Sequence, residues 1–317
     1  MKPGSSLAHR RRGRGPAIVA AALTVVALAA AGCSTAASAP AGSGGAGAKI
    51  AVVAAENFWG SIASQIGGSH VHVVSIITNP TTDPHTYEPT PADARTVATA
   101  QFVIENGIGY DPWLPKLLAA DQQNPVTLNV GTLLGVANGG NPHRWYNPAD
   151  VQTIISQMVA SYQKLDPADS AYFAQQRTRF DTVALQRYNA TIAAVKATYP
   201  GTPVGASESI FAMLAPALGL DLITPYSFLK AISEGTDVSA ADKQTIDSQI
   251  RNHKIKIYVY NSQNVTPDVQ AQLTEVKAEH IPYATITETL VPATATYQAW
   301  QTSELLGIQA ALAKAAQ

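Results

Sequence analysis

The sequence has few cysteines and few charges, and both shortages exclude classes of protein. Cys33 is the only cysteine among 317 residues, so no disulfide can form within the chain and the fold must be stabilised by its core. Only 14% of the residues are charged, and the formal net charge is −1. No basic patch with interleaved aromatic residues is present, as binding to a phosphate backbone would require. We therefore predict no nucleic-acid partner.

The first 33 residues differ from the rest of the chain. They contain no acidic residue, and a basic segment that ends at Arg14 is followed by an apolar run over residues 17–31. This order is typical of an export signal, and the run is short for a membrane span. Small residues directly precede Cys33, as in a bacterial lipobox. We predict that residues 1–33 are a lipoprotein signal peptide ending at a lipidated Cys33. The alternative, an ordinary secretory signal, also exports the protein.

A flexible tether is predicted after the signal. Residues 34–48 (STAASAPAGSGGAGA) contain only small residues and proline. Such a segment would let a folded body stand away from the membrane to which an acylated Cys33 attaches it. The predicted location is therefore outside the cytoplasm, lipid-anchored to the outer face of the cell membrane.

The remaining sequence alternates short β-rich runs with helical segments, which favours parallel sheets in an α/β arrangement. At roughly 150 residues per domain, the length suggests about two domains. Two series of strands are predicted, at 49–55, 72–78, 101–106 and 127–130, and at 203–206, 221–224, 256–260 and 283–287. We therefore predict two (βα)4-like lobes, over residues 49–165 and 201–317.

Residues 166–200 are predicted to be one long helix that joins the lobes. The sequence Asp166-Pro167-Ala168-Asp169 offers an N-cap followed by proline at the first helical position, and no Gly or Pro then occurs before Pro200. At 1.5 Å per residue the helix would be roughly 48 Å long, enough to cross both lobes. A single rigid connection of this kind would allow little hinge bending.

Two similar stretches, DPHTYEPTPAD at 83–93 and NPHRWYNPAD at 141–150, present histidines on stiff loops. A proline precedes His85 and His143, and it restricts the backbone there. Both histidines follow predicted strands of the first lobe, and ligands of open α/β sheets bind at the carboxyl ends of strands. The two histidines therefore predict a metal site.

The second lobe offers oxygen donors at equivalent places. Glu208 follows the strand at 203–206, and an amide-rich run, 261–264, follows the strand at 256–260. Two imidazoles with one carboxylate suit zinc, and further oxygen donors shift the preference towards manganese. The other histidines of the folded part are interpreted as exposed; they are His70, His72, His253 and His280.

The two histidine motifs, Glu208, the YNSQ stretch and the lipobox together resemble the zinc/manganese solute-binding lipoproteins of bacterial ABC transporters. The resemblance covers essentially all of residues 49–317. It implies two (βα)4-type lobes joined by one backbone helix, with a divalent metal in the interlobe cleft. His85 and His143 match the family's two first-lobe histidine ligands. Glu208 matches a position that is Glu in manganese-type members and often His in zinc-type members.

The resemblance also implies a fourth ligand in the loop after the third strand of the second lobe. The family usually has Asp at this position, and Asn264 stands there in this sequence. Gln263 or a water molecule are alternatives. The His-rich loop of many zinc-type members is absent, since residues 135–141 are few and contain no His. Zinc is favoured because neutral neighbours supply fewer hard oxygens than manganese usually prefers.

We predict an extracytoplasmic binding protein that is a monomer and not an enzyme. It would capture Zn²⁺, or Mn²⁺, as a transported ligand and deliver it to an ABC permease, with an affinity that falls as imidazoles become protonated. A zinc-dependent metallohydrolase that uses two histidines and one glutamate is one alternative. However, no HExxH motif occurs, and GASES at 205–209 lacks the second Gly of a nucleophile elbow. A surface adhesin on the same fold is another alternative.

Overall fold

The structure is a computed structural model that describes residues 48–82, 84–120 and 123–317. The predicted signal peptide, Cys33 and almost all of the predicted tether lie outside the described residues. Within the described ranges, no helix combines the length and the apolar character that crossing a membrane requires.

The first lobe is built on a four-stranded parallel sheet with the order β2-β1-β3-β4. Its strands are β1 (Ile50–Glu56), β2 (Val71–Ile77), β3 (Phe102–Glu105) and β4 (Val126–Asn129). Its helices are α1 (Asn57–Gly67), α2 (Pro91–Val97), α3 (Leu114–Ala120), α4 (Val130–Leu134) and α5 (Pro148–Leu165). Strands β1 and β3 are apolar over nearly their whole length because helices and loops cover both faces of the sheet.

The second lobe repeats this plan with a parallel sheet of order β6-β5-β7-β8. Its strands are β5 (Pro203–Ala206), β6 (Asp221–Leu222), β7 (Ile257–Asn261) and β8 (Tyr283–Ile286). Its helices are α8 (Ile210–Leu214), α9 (Tyr226–Ser233), α10 (Ala240–Arg251), α11 (Pro267–Ala278) and α12 (Tyr297–Ala315). The two parallel sheets confirm the predicted α/β class, although β6 is two residues shorter than predicted.

The segment between the lobes is helical but not uniformly α-helical. It consists of a 3-10 turn (Pro167–Asp169), α6 (Ser170–Arg179), a π-helical segment (Phe180–Ala184) and α7 (Gln186–Thr198). The predicted linking helix is thus present, with a 3-10 turn at its start and a π-helical segment within it. The end of α6 passes into wider π-type turns, which an apolar pattern of mixed three- and four-residue steps does not distinguish from α-type turns. Helix α6 packs against α1 and α5, and α7 packs against α12.

One continuous hydrophobic core runs through both lobes. Its largest fully buried side chains come from both halves of the chain, including Trp59 and Trp145 in the first lobe and Phe211 and Trp300 in the second. A separate small cluster around Trp113 covers the other face of the first sheet. The shared core holds the two lobes together, so the loops at the carboxyl ends of the two sheets face each other.

Candidate metal centre

Three potential metal ligands converge between the lobes at the carboxyl ends of the sheets. His143 Nε2 lies 3.8 Å from Glu208 Oε1. One ligand atom from each of His143, Glu208 and Glu288 lies within 4.8 Å of the other two. Glu208 follows β5, and Glu288 follows β8. An imidazole and two carboxylates at this spacing can bind a divalent cation.

His143 presents a lone pair to this group because Asn141 holds the other side of its ring. Pro142 precedes it, and the imidazole is 1% exposed. Its Nδ1 lies 2.9 Å from Asn141 Oδ1, which can only accept, so Nδ1 carries the hydrogen and Nε2 is the potential ligand. Asn141 also donates to the backbone carbonyl of Ser209 in the other lobe, at 2.7 Å. Burial lowers the pKa of His143 to about 3, and the nearby His85 adds to the effect.

His85 lies beside the convergent group, in the wall of the same cavity. It is half-buried in a 3-10 turn, Pro84–Thr86, and its Nδ1 is 3.2 Å from the carbonyl oxygen of Gly109. The imidazole packs edge-on against Tyr110, with ring centroids 4.9 Å apart. A cavity of about 600 Å³ is lined by His85 together with Gly139, Asn264, Glu288 and neighbouring loop residues. The stiff loop predicted around the first histidine motif thus points its imidazole to the interlobe cavity.

The surroundings of Glu208 raise the pKa of its carboxyl group. Its side chain is 1% exposed, and burial raises its pKa to about 8; the negative charge of Glu288 acts in the same direction. Hydrogen bonds from Asn261, Ser233 and Asn264 oppose this rise. Two carboxylates in a buried site repel each other, so this arrangement favours a proton or a cation between them.

Glu288 is the one member of the convergent group that the sequence analysis missed. Its Oε1 accepts a hydrogen bond of 2.8 Å from Asn261 Nδ2, which also donates to Glu208 Oε2 at 2.7 Å. Its Oε2 accepts one of 3.0 Å from the Tyr110 hydroxyl. A signal was present in the sequence, because Glu288 directly follows the predicted strand 283–287. The donors predicted in the second lobe, Glu208 and residues 261–264, follow two other strands of that lobe.

Gln263 and Asn264, the predicted fourth donors, line the same cavity as Glu288 and hydrogen-bond residues around it. Gln263 Oε1 accepts from the backbone N–H groups of Glu288 (2.8 Å) and Thr289 (3.1 Å), so this side chain shapes the loop that carries Glu288. Asn264 Nδ2 donates to the carbonyl oxygen of Ile232 at 3.2 Å. Its side chain also hydrogen-bonds Glu208. Glu288 thus lies near both predicted donors, in the wall of one cavity.

An aromatic cluster closes the site on its first-lobe side. Trp145 lies edge-on to His143 with ring centroids 5.3 Å apart, and its other neighbours are Phe58, stacked at 3.9 Å, and Tyr110, tilted at 5.0 Å. All three aromatic residues are fully buried. The cluster keeps water away from this side of the imidazole and restricts its rotation, so the ligand nitrogen is preorganised.

A model of the family described as "Zinc-uptake complex component A periplasmic" (ZnuA) matches residues 52–311. The chain belongs to this family. The predicted resemblance is thereby confirmed, and so is the prediction that the protein is not an enzyme, since the family consists of transport components. The family match identifies the relatives of this chain. The metal that the chain binds is a separate question.

Individual relatives of this zinc-uptake family member are distant. The "Iron-binding protein YfeA" of Yersinia pestis is 29% identical over 130 residues, which are 38% of this chain and 40% of that protein. The "Manganese ABC transporter substrate-binding lipoprotein PsaA" of Streptococcus anginosus is 23% identical over 69% of this chain and 74% of its own length. The match to YfeA therefore spans only about two fifths of that relative.

Solved structures share the fold of this zinc-uptake family member at low sequence identity. The periplasmic zinc-binding protein TroA of Treponema pallidum has a TM-score of 0.68 and 20% identity, covering 83% of this chain and 99% of TroA. A manganese-bound S38A mutant of a periplasmic metal-binding protein from Candidatus Liberibacter asiaticus has a TM-score of 0.71 and 19% identity, covering 83% of this chain and 100% of that one.

Proposed function

We propose that this protein captures one divalent transition-metal ion outside the cytoplasm, with zinc favoured over manganese, and delivers it to an ABC permease. The observation that supports this most strongly is the convergence of His143, Glu208 and Glu288 within 4.8 Å in the cleft between the lobes. A neutral imidazole and two carboxylates that share one amide donor, Asn261, form a site whose charge a divalent cation would balance.

The proposed ligands are His85, His143, Glu208 and Glu288. Glu288 adds carboxylate oxygens that the predicted ligand set lacked, and extra oxygens favour manganese in general. However, each carboxylate can give one oxygen to the metal while its other oxygen keeps a hydrogen bond from Asn261 or Tyr110. Coordination through one oxygen of each carboxylate would retain these hydrogen bonds. Two nitrogens and two oxygens make a four-coordinate set, which suits zinc.

The transport role is supported by the names of relatives, several of which are substrate-binding lipoproteins of manganese or other metal ABC transporters. We propose that the chain acts in the same way, as a monomer attached through a lipid on Cys33 to the outer face of the cell membrane. A permease would then receive the metal from a protein that the membrane holds within reach of it. The predicted tether, residues 34–48, would provide that reach.

Elemental analysis of the protein purified from its native envelope tests this function. We expect about one equivalent of zinc per chain, removable by chelation and restored on titration of the metal-free protein. Deletion of its gene should reduce growth under zinc limitation, and deletion of the partner permease should have the same effect. A metal-free preparation that binds neither zinc nor manganese above the level of a denatured control would contradict the proposal.

The metal affinity is expected to depend on the protonation of Glu208, and not on that of His143. With a pKa raised to about 8, the Glu208 carboxyl is protonated at neutral pH in the metal-free protein, so metal binding must release this proton. The apparent affinity should rise about tenfold per pH unit below pH 8 and level off above it. His143, with a pKa of about 3, is already neutral throughout this range. We therefore expect no titration of His143 in this pH range, and the imidazole titration expected from the sequence stays a prediction.

Competition against a chelator between pH 6 and pH 9 measures this dependence. The folding stability of the metal-free protein depends on pH in the opposite direction. The pKa of Glu208 in the folded state lies above its ordinary value of 4.5, so the folded state retains a proton that the unfolded state has lost. The contribution of Glu208 to the stability of the metal-free protein should therefore fall as pH rises from 4.5 to about 8. A metal-affinity profile without a change of slope near pH 8 would contradict this role of Glu208.

A further inference from the structure

A second cluster of metal-ligating side chains lies where the first lobe meets the linking segment. His70 ends a 3-10 turn, Gly68–His70, just before β2, and Asp166 and Asp169 lie at the turn that precedes α6. His70 Nδ1 is 3.0 Å from Asp169 Oδ2 and 3.9 Å from Asp166 Oδ2. A ligand atom of each residue lies within 4.8 Å of the other two. The cluster joins residues almost one hundred positions apart in the chain.

Helix capping does not explain the two carboxylates. The sequence predicts Asp166 as an N-cap, yet its side chain makes no capping hydrogen bond to the turn Pro167–Asp169. Asp169 occupies the residue before α6, and its side chain makes no capping hydrogen bond either. Both carboxylates have an oxygen near the imidazole instead. Their positions therefore require another explanation.

The His70 imidazole is held in place by aromatic side chains of α6. Its ring lies over Tyr172 with centroids 4.0 Å apart and meets Phe173 edge-on at 5.8 Å. The Tyr172 hydroxyl accepts a 2.9 Å hydrogen bond from the backbone N–H of Ser69, the residue before His70. The ring is thus fixed with Nδ1 towards the carboxylates, and little rotamer entropy remains to be lost on metal binding.

We propose that His70, Asp166 and Asp169 form a second, weaker metal site for Zn²⁺ or a similar borderline divalent ion. Zinc–ligand bonds of about 2.0–2.2 Å put the donors of a tetrahedral site about 3.4 Å apart, which lies between the two observed distances. An imidazole donor disfavours Mg²⁺ and Ca²⁺. The side chains are 29%, 31% and 46% exposed, so water can complete the shell and the ion can exchange.

Such an ion would attach the start of the linking segment to the first lobe. Asp166 and Asp169 belong to the turn that leads into α6, and His70 belongs to the 3-10 turn that leads into β2. Metal binding would replace the two imidazole–carboxylate contacts by three coordinate bonds. The site would therefore stabilise this junction when zinc is abundant, independently of the ion in the interlobe cleft.

Zinc titration of the full folded chain in a His143→Ala background tests the proposal, because that substitution disables the interlobe site. We expect one weaker zinc to remain, and His70→Ala or Asp169→Asn to lower its affinity at least about tenfold. Two matched controls should leave it unchanged. His72→Ala removes an exposed histidine two residues away. His253→Ala removes a histidine that pairs with Glu279 at 3.3 Å and has no third ligand in the groups found among the described residues.

Isothermal titration and native mass spectrometry give affinity and stoichiometry, and circular dichroism establishes that each variant is folded. Asp169→Asn preserves the shape of the side chain, so it remains informative should His70→Ala fold poorly. Unchanged binding in both variants would show an ion pair only and overturn the proposal. Equal losses in His70→Ala and His253→Ala would show scattered binding to surface histidines and would also overturn it. If His143→Ala removes the tightly bound zinc and the weaker zinc remains, the lost ion belongs to the interlobe site and the remaining ion to the proposed site.

Discussion

Replacement of Glu288 by Gln is expected to lower the zinc affinity by at least about 100-fold, the upper end of the effect of removing a ligand's supporting residue. Glu288 supplies one of the two carboxylates of the convergent group, and the amide would be a neutral and weaker donor. Gln keeps the size of the side chain and an oxygen to accept from Tyr110 or Asn261. The loss should therefore come from the missing charge, and competition with a chelator of known affinity measures it.

Glu105→Gln is the matched control for this substitution. Glu105 is a buried glutamate at the carboxyl end of β3, whereas Glu288 is half-buried, and burial raises the pKa of Glu105. Its Oε1 accepts from Asn129, a contact that Gln can keep through its own oxygen. Because it lies outside the convergent group, the zinc affinity of this variant should stay within about threefold of the parent.

The same measurement decides between Glu288 and the donors that the sequence predicted. Asn264→Ala should have a smaller effect than Glu288→Gln, because it removes hydrogen bonds to Glu208 and to the carbonyl oxygen of Ile232 but no charge. Gln263→Ala should fall between them, because it releases the backbone of the loop that carries Glu288. If Asn264→Ala weakens zinc binding more than Glu288→Gln, then Asn264 is the fourth ligand and the ligand set proposed above is incorrect.

Trp145→Ala is expected to lower the free energy of unfolding of the metal-free protein by about 3–5 kcal/mol. The indole is fully buried and stacks on Phe58 at 3.9 Å, so its removal leaves a cavity that the surrounding aromatic rings can fill only in part. Denaturant unfolding followed by tryptophan-independent circular dichroism measures the change. Zinc affinity should fall as well, because the indole edge beside His143 restricts that imidazole.

An exposed aromatic residue provides the comparison for Trp145. Tyr226 is 51% exposed, and Tyr226→Ala should change the free energy of unfolding by no more than about 0.5 kcal/mol. A loss below about 1 kcal/mol for Trp145→Ala would show that the aromatic cluster is loosely packed. The preorganisation inferred for His143 would then have to come from Asn141 alone.

Several hydrogen bonds join the lobes around the metal centre. Asn141 donates to the carbonyl oxygen of Ser209, and Tyr110 donates to Glu288. At the rim of the cavity, Lys230 Nζ donates to the carbonyl oxygen of Gly139 at 3.2 Å. Together with the shared core, these contacts oppose separation of the lobes.

Local patterns in the sequence predicted the architecture and three of the four proposed ligands. Alternating strand and helix signals placed all eight strands of the described residues, because periodicity and capping residues act over a few neighbours. Thr90 and Asn147 cap the helices that follow them. The two Pro-His motifs and Glu208 stand at strand ends, where the parallel topology brings them to one cleft.

Only the tertiary structure decided which second-lobe side chains complete the centre. Whether Gln263 or Glu288 points to the cleft depends on the path of two loops, and the Gln263 side chain binds the backbone of the Glu288 loop. The protonation of the centre also came from tertiary structure. Desolvation by distant segments keeps His143 neutral and raises the pKa of Glu208, whereas sequence alone assigns both residues their ordinary values. The path of a loop and the burial of a side chain depend on contacts between residues that are remote in sequence. Local sequence patterns do not contain this information.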